Sequence, residues 1–142
     1  MKERDEQLQI LMNTFGKGGL EFMCHASPVS KRSRDKIKKE ISKQIIKKRI
    51  DNDNFLKDKS KNFFTNNLFV EFTFGLEKNR CKKNDIDNLI KHSLDCLKGV
   101  LFKDDSQVKK ICATKYFINS GKEWTGIRVY KLKEIKNAKS NN

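Results

Sequence analysis

The sequence predicts an α/β (α+β) fold, with a single domain, a mixed β-sheet and two main helices. Two observations support this fold class. The chain has 142 residues, which suffices for one sizeable hydrophobic core and is too short for two. The spacing of its apolar residues also changes along the chain, and it gives the element order strand, helix, strand, helix, strand, strand.

The first two predicted elements lie in the N-terminal half of the chain. Apolar and polar residues alternate from Leu20 to Ala26, as in a half-buried strand, and Pro28 ends the pattern because proline cannot donate to a sheet. The segment from Lys31 to Arg49 contains ten basic residues and an isoleucine at every fourth position, which predicts an amphipathic helix. Ser33 is the expected N-terminal cap. The basic outer face of this helix either follows DNA phosphates or is simply solvated.

The remaining elements follow a polar segment, residues 51–67, that is predicted to be a surface loop. Alternating apolar residues from Leu68 to Phe74 predict a central strand of the sheet. A helix then begins between Asp85 and Asn88 and ends before Gly99, since glycine accepts the backbone conformation that follows a helix. Two further strands complete the sheet, Val108 to Ile118 and Trp124 to Tyr130.

The chain is strongly basic. It has 32 Lys and Arg residues against 18 Asp and Glu residues, which gives a formal net charge of +14. Such a charge favours attraction to the phosphate backbone of nucleic acid, with an affinity that falls as salt rises. A compositional bias toward lysine would give the same charge without a nucleic-acid partner.

Composition also bears on the compartment and the cofactors. The four cysteines, Cys24, Cys81, Cys96 and Cys112, lack zinc-ligand spacing and are interpreted as free thiols in a reducing compartment. No apolar run approaches the roughly 20 residues of a membrane span, and no signal peptide is recognisable, so we expect a cytoplasmic protein without membrane contact. The chain is too short for a separate cofactor domain, so no nucleotide cofactor is expected.

Five aspartates are concentrated between Lys82 and Lys110, although the chain as a whole is basic. Asp85 and Asp87 are one residue apart in the extended entry to the predicted helix, so both carboxylates can point into one site. The strand after the helix is expected to return beside the strand before it, which would bring Asp104 and Asp105 to the same place. Convergent carboxylates predict a Mg²⁺ site for phosphodiester hydrolysis.

Lys91 follows Asp87 by one helical turn and could hold the scissile phosphate. Each of these residues also has an ordinary structural interpretation. Asp85 or Asp87 could cap the helix, Asp87 and Lys91 could form a surface ion pair, and Asp104 could belong to a turn. Capping alone does not explain why acid pairs flank both ends of one helix.

Three short motifs follow one another between Lys82 and Val108. They are Asp85-Ile86-Asp87-Asn88-Leu89-Ile90-Lys91, Leu94-Asp95 and Asp104-Asp105-Ser106-Gln107-Val108. In type, order and approximate spacing they closely resemble the D-x-D-N-L-x-K, D-A-L and D-D-x-Q-[VI] segments of the RusA family of Holliday-junction resolvases. The resemblance extends more weakly from Leu20 to Tyr130, where Pro28 to Arg34 looks like the family's P-x-x-K-x-R segment.

The resemblance implies a role for five residues of these motifs. Asp85, Asp87 and Asp105 would be the catalytic, metal-binding aspartates, with Asp104 as an auxiliary ligand, and Lys91 would be the essential lysine. It also implies a homodimer from a bacterium or phage that requires Mg²⁺, or Mn²⁺ in its place. Such a dimer would cut two opposed strands of a four-way DNA junction, a task that suits two equivalent sites related by a twofold axis.

The resemblance further divides the chain into three parts. Residues 1–18 would be an arm outside the family pattern, residues 19–131 a RusA-like nuclease domain, and residues 132–142 a basic mobile tail. DNA-binding side chains are expected among the basic residues that flank the motifs, namely Lys31, Arg32, Arg34, Lys82 and Lys83.

The sequence therefore predicts a Mg²⁺-dependent endodeoxyribonuclease that resolves Holliday junctions by paired nicks in DNA recombination and repair. Two alternatives stay open. One is a basic module that binds junctions or duplexes without cutting them. The other is a metal nuclease with a broader preference for branched DNA, including flaps and forks.

Overall fold

The computed structural model of the chain describes residues 19–51, 64, 67–119 and 121–132. These residues form four strands, three helices and one turn of 3₁₀ helix, in an order that matches the predicted order except for one added helix. The strands are β1 (Leu20–Cys24), β2 (Leu68–Glu77), β3 (Val108–Ile118) and β4 (Trp124–Lys131). The helices are α1 (Lys31–Asp51), α2 (Lys78–Lys83) and α3 (Ile86–Leu97), and the 3₁₀ turn is Asp105–Gln107.

The four strands make one mixed sheet in the order β1-β4-β2-β3. Strand β4 runs antiparallel to both of its neighbours, whereas β2 and β3 are parallel. A parallel pair needs a crossover connection, and here the crossover consists of α2 and α3. Strand β2 lies inside the sheet and is buried from Leu68 to Leu76, so its prediction as a central strand is confirmed.

The hydrophobic core fills the space between one face of the sheet and helices α1 and α3. The isoleucine stripe of α1, Ile37, Ile41 and Ile45, is buried in this core as its four-residue spacing predicts. Phe72 and Phe74 of β2 stack with their ring centroids 5.8 Å apart in the same cluster. The core therefore ties α1 to the sheet through the apolar face that the sequence displays.

Helix α1 begins at Lys31, and its cap is Ser30 rather than the predicted Ser33. Ser30 Oγ accepts a hydrogen bond from the backbone N–H of Ser33 at 3.1 Å, and its carbonyl accepts the N–H of Arg34. Ser33 therefore lies in the first turn of α1, where its backbone N–H is the group that Ser30 caps. At the other end of the sheet, Gly99 follows α3 with a φ of +79°, which confirms its predicted place after the helix.

Helix α2 was not predicted, because it has no fully buried side chain and hence no apolar period to reveal it. The predicted arm at residues 1–18 lies outside the described residues, as do residues 133–142 of the tail and residues 52–63, 65 and 66 of the surface loop. Phe64 of that loop is buried in the core, and Leu132 packs against Phe69 and Tyr130. None of the described helices is long and apolar enough to cross a membrane.

Replacing Phe72 by alanine is expected to lower the free energy of unfolding by about 3–5 kcal/mol, because it leaves a cavity beneath the sheet. Phe72 has no exposed surface, whereas Phe117 on the edge strand β3 is 60% exposed. The Phe117→Ala protein is therefore the matched control, and its free energy of unfolding should fall by well under half as much as that of Phe72→Ala. Urea unfolding of both proteins measures the difference, and equal losses would contradict this description of the core.

Candidate functional site

The parallel pairing of β2 and β3 decides where the acidic residues lie. Leu68 pairs with Val108 at one end of the two strands, and Glu77 pairs with Ile118 at the other. Helix α3 runs back along the sheet between these ends, since it must connect the end of β2 to the start of β3. Its 12 residues span about 18 Å at 1.5 Å per residue.

The two acid pairs therefore lie at opposite ends of α3. Asp85 and Asp87 are at its start, beyond the end of β2, while Asp104 and Asp105 follow its end, beside the start of β2. The prediction that one chain brings these carboxylates together is wrong, because β3 returns beside β2 in the parallel direction. Among the described residues, no group of three or more His, Cys, Asp or Glu side chains is placed to hold a metal ion.

Asp85 and Asp87 have exposed carboxylates at the start of α3. Asp85 occupies the N-cap position, with φ −66° and ψ 147°, yet its side chain makes no capping hydrogen bond. Asp87 lies in the first turn of the helix, so the prediction that both aspartates stand in an extended entry holds for Asp85 and is wrong for Asp87. Capping thus does not occupy the Asp85 carboxylate. Two oxygen ligands one residue apart are a donor set that suits a hard cation such as Mg²⁺.

Lys91 is exposed on α3, one turn after Asp87. The ion pairs of the described residues include those of His25 with Glu40, Arg80 with Glu123 and Arg128 with Glu21. Within the described residues, no ion pair joins Asp87 and Lys91. The ammonium group of Lys91 is accordingly not engaged by Asp87.

Asp104 and Asp105 differ in what their carboxylates do. Hydrogen bonds from the side chain and the backbone N–H of Ser106 hold the pKa of Asp104 below its usual value. Gln107 Oε1 accepts the backbone N–H groups of Lys103 and Asp104 at 2.9 and 3.1 Å, which closes the turn. Asp104 therefore acts in turn formation, whereas Asp105 starts the 3₁₀ turn with an exposed side chain.

A wide cationic cleft of about 1470 Å³ opens at the end of the sheet where Asp85 lies. Its walls are the end of β1, the first turns of α1, Arg80 of α2 and the loop before β4. Six lysine and arginine side chains line it, namely the predicted Lys31 and Arg32 together with Lys36, Lys39, Arg80 and Lys122. Asp35 and Glu123 also line the cleft, so positive side chains outnumber negative ones by six to two. A cleft with such an excess of one sign of charge concentrates ligands of the opposite charge.

The other predicted DNA-binding residues are placed differently. Lys82 and Lys83 are exposed at the end of α2, immediately before the segment that carries Asp85. Arg34 is half-buried and does not line the cleft, and its carbonyl accepts a hydrogen bond from the thiol of Cys96. The structure thus brings four of the five predicted cations to the end of the sheet that carries Asp85 and Asp87.

Glu123 organises this end of the sheet and was missed by the sequence analysis. Its side chain is only 12% exposed, and it forms an ion pair with Arg80 at 3.1 Å. It also accepts hydrogen bonds from Ser27 Oγ at 2.8 Å and from the backbone N–H of Glu77 at 3.0 Å. No local pattern could reveal these contacts, because they join three segments that are distant in the sequence.

The cysteines are free thiols in the structure, as predicted. Burial raises the pKa of Cys24 to about 12 and that of Cys96 to about 11, so both stay protonated at neutral pH. Burial also raises the pKa of Cys112. Neutral thiols are poor metal ligands, so the carboxylates are the better candidates for holding a metal ion.

A protein-family model described as "Endodeoxyribonuclease RusA" matches residues 58–130, just over half of the chain. The match includes β2, both crossover helices, β3 and nearly all of β4. Asp85, Asp87, Lys91 and Asp105 all fall within it. A comparison with curated proteins gave no match.

Proposed function

The chain belongs to the RusA family of endodeoxyribonucleases, and from that premise we propose that it resolves Holliday junctions by Mg²⁺-dependent paired nicks. One observation carries this proposal. Asp85 and Asp87 present exposed carboxylates within the matched segment, at the end of the sheet that also carries the cationic cleft. The activity belongs to DNA recombination and repair, where four-way junctions arise.

Asp85 and Asp87 would hold the Mg²⁺, or Mn²⁺ in its place. Magnesium sites commonly use one or two carboxylates and complete their coordination with water and substrate phosphate oxygens. The bound ion would supply an activated water and neutralise charge on the reacting phosphate. Lys91 would contact the scissile phosphate, because it lies one turn along the same helix and is not paired with Asp87.

A second copy of the chain would complete this site. Asp105 lies beyond the far end of α3 from Asp87, and the helix from Asp87 to Leu97 alone spans about 15 Å, so the two carboxylates of one chain cannot share a metal ion. A twofold dimer that sets the start of one α3 against the 3₁₀ turn of its partner would supply the third carboxylate. The homodimer thus becomes a chemical requirement of the proposed site.

The cationic cleft would bind the phosphates of one junction arm, with Lys31 and Arg32 on one wall and Arg80 on the other. Lys82 and Lys83 would extend this surface toward Asp85. Because α2 connects the cleft to the start of α3, DNA held in the cleft passes close to the proposed metal site.

The Arg32→Glu variant is expected to weaken junction binding about tenfold and to lower the slope of log Kd against log salt by about one, since it removes a phosphate contact. Lys47→Glu, on an exposed site about four turns further along α1, changes the charge equally and is the matched control. Fluorescence anisotropy at several salt concentrations measures both. Equal losses in the two variants would assign the effect to net charge and contradict a role for the cleft.

Cleavage of three labelled substrates in Mg²⁺ tests the proposed activity. The four-way junction should be cut much faster than a flap or a linear duplex of the same sequence. Faster cutting of the flap would favour a broader branched-DNA nuclease. Tight junction binding without cutting, in Mg²⁺ and in Mn²⁺, would favour a binding module.

A further inference from the structure

A half-buried lysine of β3 contacts the main chain that carries Asp85. Lys115 pairs with Phe74 in the sheet register, and its side chain reaches the end of α2. Its Nζ donates hydrogen bonds to the carbonyl oxygens of Cys81 at 2.5 Å and of Asn84 at 2.8 Å. Asn84 is the residue directly before Asp85 in the chain.

These carbonyls need a partner from outside the helix. The last carbonyls of any helix lack intrahelical donors, and a lysine ammonium group can satisfy them. At the end of α2, Arg80 O already accepts both the backbone N–H and the side-chain Nδ2 of Asn84. Lys115 adds the donor that links this helix end to the sheet.

The other end of α2 is also held by a side chain. Glu123 binds the N–H of Glu77 and the guanidinium of Arg80, as described above. Since α2 has no fully buried side chain, polar contacts at its two ends carry much of its attachment to the domain. The direction in which Asp85 leaves α2 therefore depends on these contacts.

We propose that Lys115 is a positioning residue for the metal site. Its hydrogen bonds to the carbonyls of Cys81 and Asn84 fix the main chain that leads into Asp85, whose side chain has no capping contact of its own. Lys115 acts on the site through the main chain and does not touch the DNA or the metal. This inference rests on the proposed function, because only that function makes Asp85 a metal ligand.

The Lys115→Met variant tests this role, since methionine keeps the length of the side chain and removes the donor. Its single-turnover cleavage rate should fall about 10- to 100-fold, as is common when a partner of a metal ligand is lost. Junction affinity should stay within about twofold. The Mg²⁺ concentration for half-maximal rate should rise. Lys115→Arg, which keeps a charged donor, should recover most of the rate.

Amide hydrogen exchange gives a readout that does not depend on activity. Residues 82–87 should exchange faster in Lys115→Met, while β2 should exchange as in the unmodified protein. Lys109→Met is the control, because Lys109 is exposed at the start of the same strand, which lies at the opposite end of the sheet from α2. It should match the unmodified protein in rate, metal requirement and exchange.

The experiments distinguish a failure of this inference from a failure of the proposed function. An unmodified protein that cuts no junction contradicts the proposed function. An active unmodified protein whose Lys115→Met variant keeps its rate, its Mg²⁺ requirement and its exchange pattern overturns the inference alone. Should Lys115→Met fail to fold, Lys115→Leu, which also removes the donor, takes its place under the same criteria.

Discussion

The Asp87→Asn protein is expected to bind four-way junctions normally and to cut them at least about 10³-fold more slowly. Asparagine keeps the shape of aspartate and removes the negative charge that a metal ligand needs. A lost metal contribution of several kcal/mol to the transition state corresponds to a rate loss of that size. Single-turnover cleavage in Mg²⁺, together with junction binding measured in Ca²⁺ or EDTA, separates the two effects.

Asp95→Asn is the matched control for this experiment. Asp95 is exposed on α3, two turns beyond Asp87, and an isosteric change there should leave cutting unaffected. The metal role of Asp87 would be refuted by an Asp87→Asn protein that binds poorly yet cuts normally once bound. A slow rate in both variants would show that α3 tolerates neither change, and would equally deny Asp87 a special role.

The second large effect concerns mixed dimers. Asp87→Asn and Asp105→Asn proteins should each be inactive alone, and a mixture of the two should regain activity. If Asp87 of one subunit works with Asp105 of the other, a mixed dimer holds one site with both carboxylates and one site with neither. Random exchange makes half of the dimers mixed, so about a quarter of all sites recover. Their product should be single nicks.

The matched control is a mixture of Asp85→Asn with Asp87→Asn. These two residues belong to the same end of one α3, so every site of the mixed dimer lacks one of them and no activity should return. Native mass spectrometry confirms that subunits exchange in both mixtures. An inactive mixture of exchanged Asp87→Asn and Asp105→Asn subunits would contradict the shared site.

Much of the fold could be predicted from the sequence, because strand and helix periods are local. The alternation in β2 and the isoleucine spacing in α1 directly reflect which side chains face the core. Helix α1 starts at Lys31 as predicted, but its cap is three residues earlier than predicted, since Ser30 and Ser33 are both acceptable caps and only the hydrogen bond distinguishes them. Helix α2 escaped prediction because it is short and only Cys81 of it packs against the core, so its sequence shows no apolar period.

Some residues of the candidate site could likewise be predicted from the sequence, and others could not. Asp85, Asp87 and Lys91 could be chosen from spacing and from the family resemblance, and the cap position of Asp85 without a capping bond supports that choice. The separation of Asp105 was missed, although a helix between two strands favours a parallel pair, which places the start of β3 beside the start of β2. Lys115 has no recognisable motif, and its contacts with α2 exist only in the folded chain.

The most direct test of the central claim uses a supercoiled plasmid that extrudes a cruciform, which is a four-way junction in closed circular DNA. Paired nicks across the junction release linear plasmid, whereas a single nick relaxes it to an open circle. We expect linear product in Mg²⁺ from the unmodified dimer and none in EDTA. Open circles alone, or bound plasmid that stays supercoiled in Mg²⁺, would contradict resolution by paired nicks.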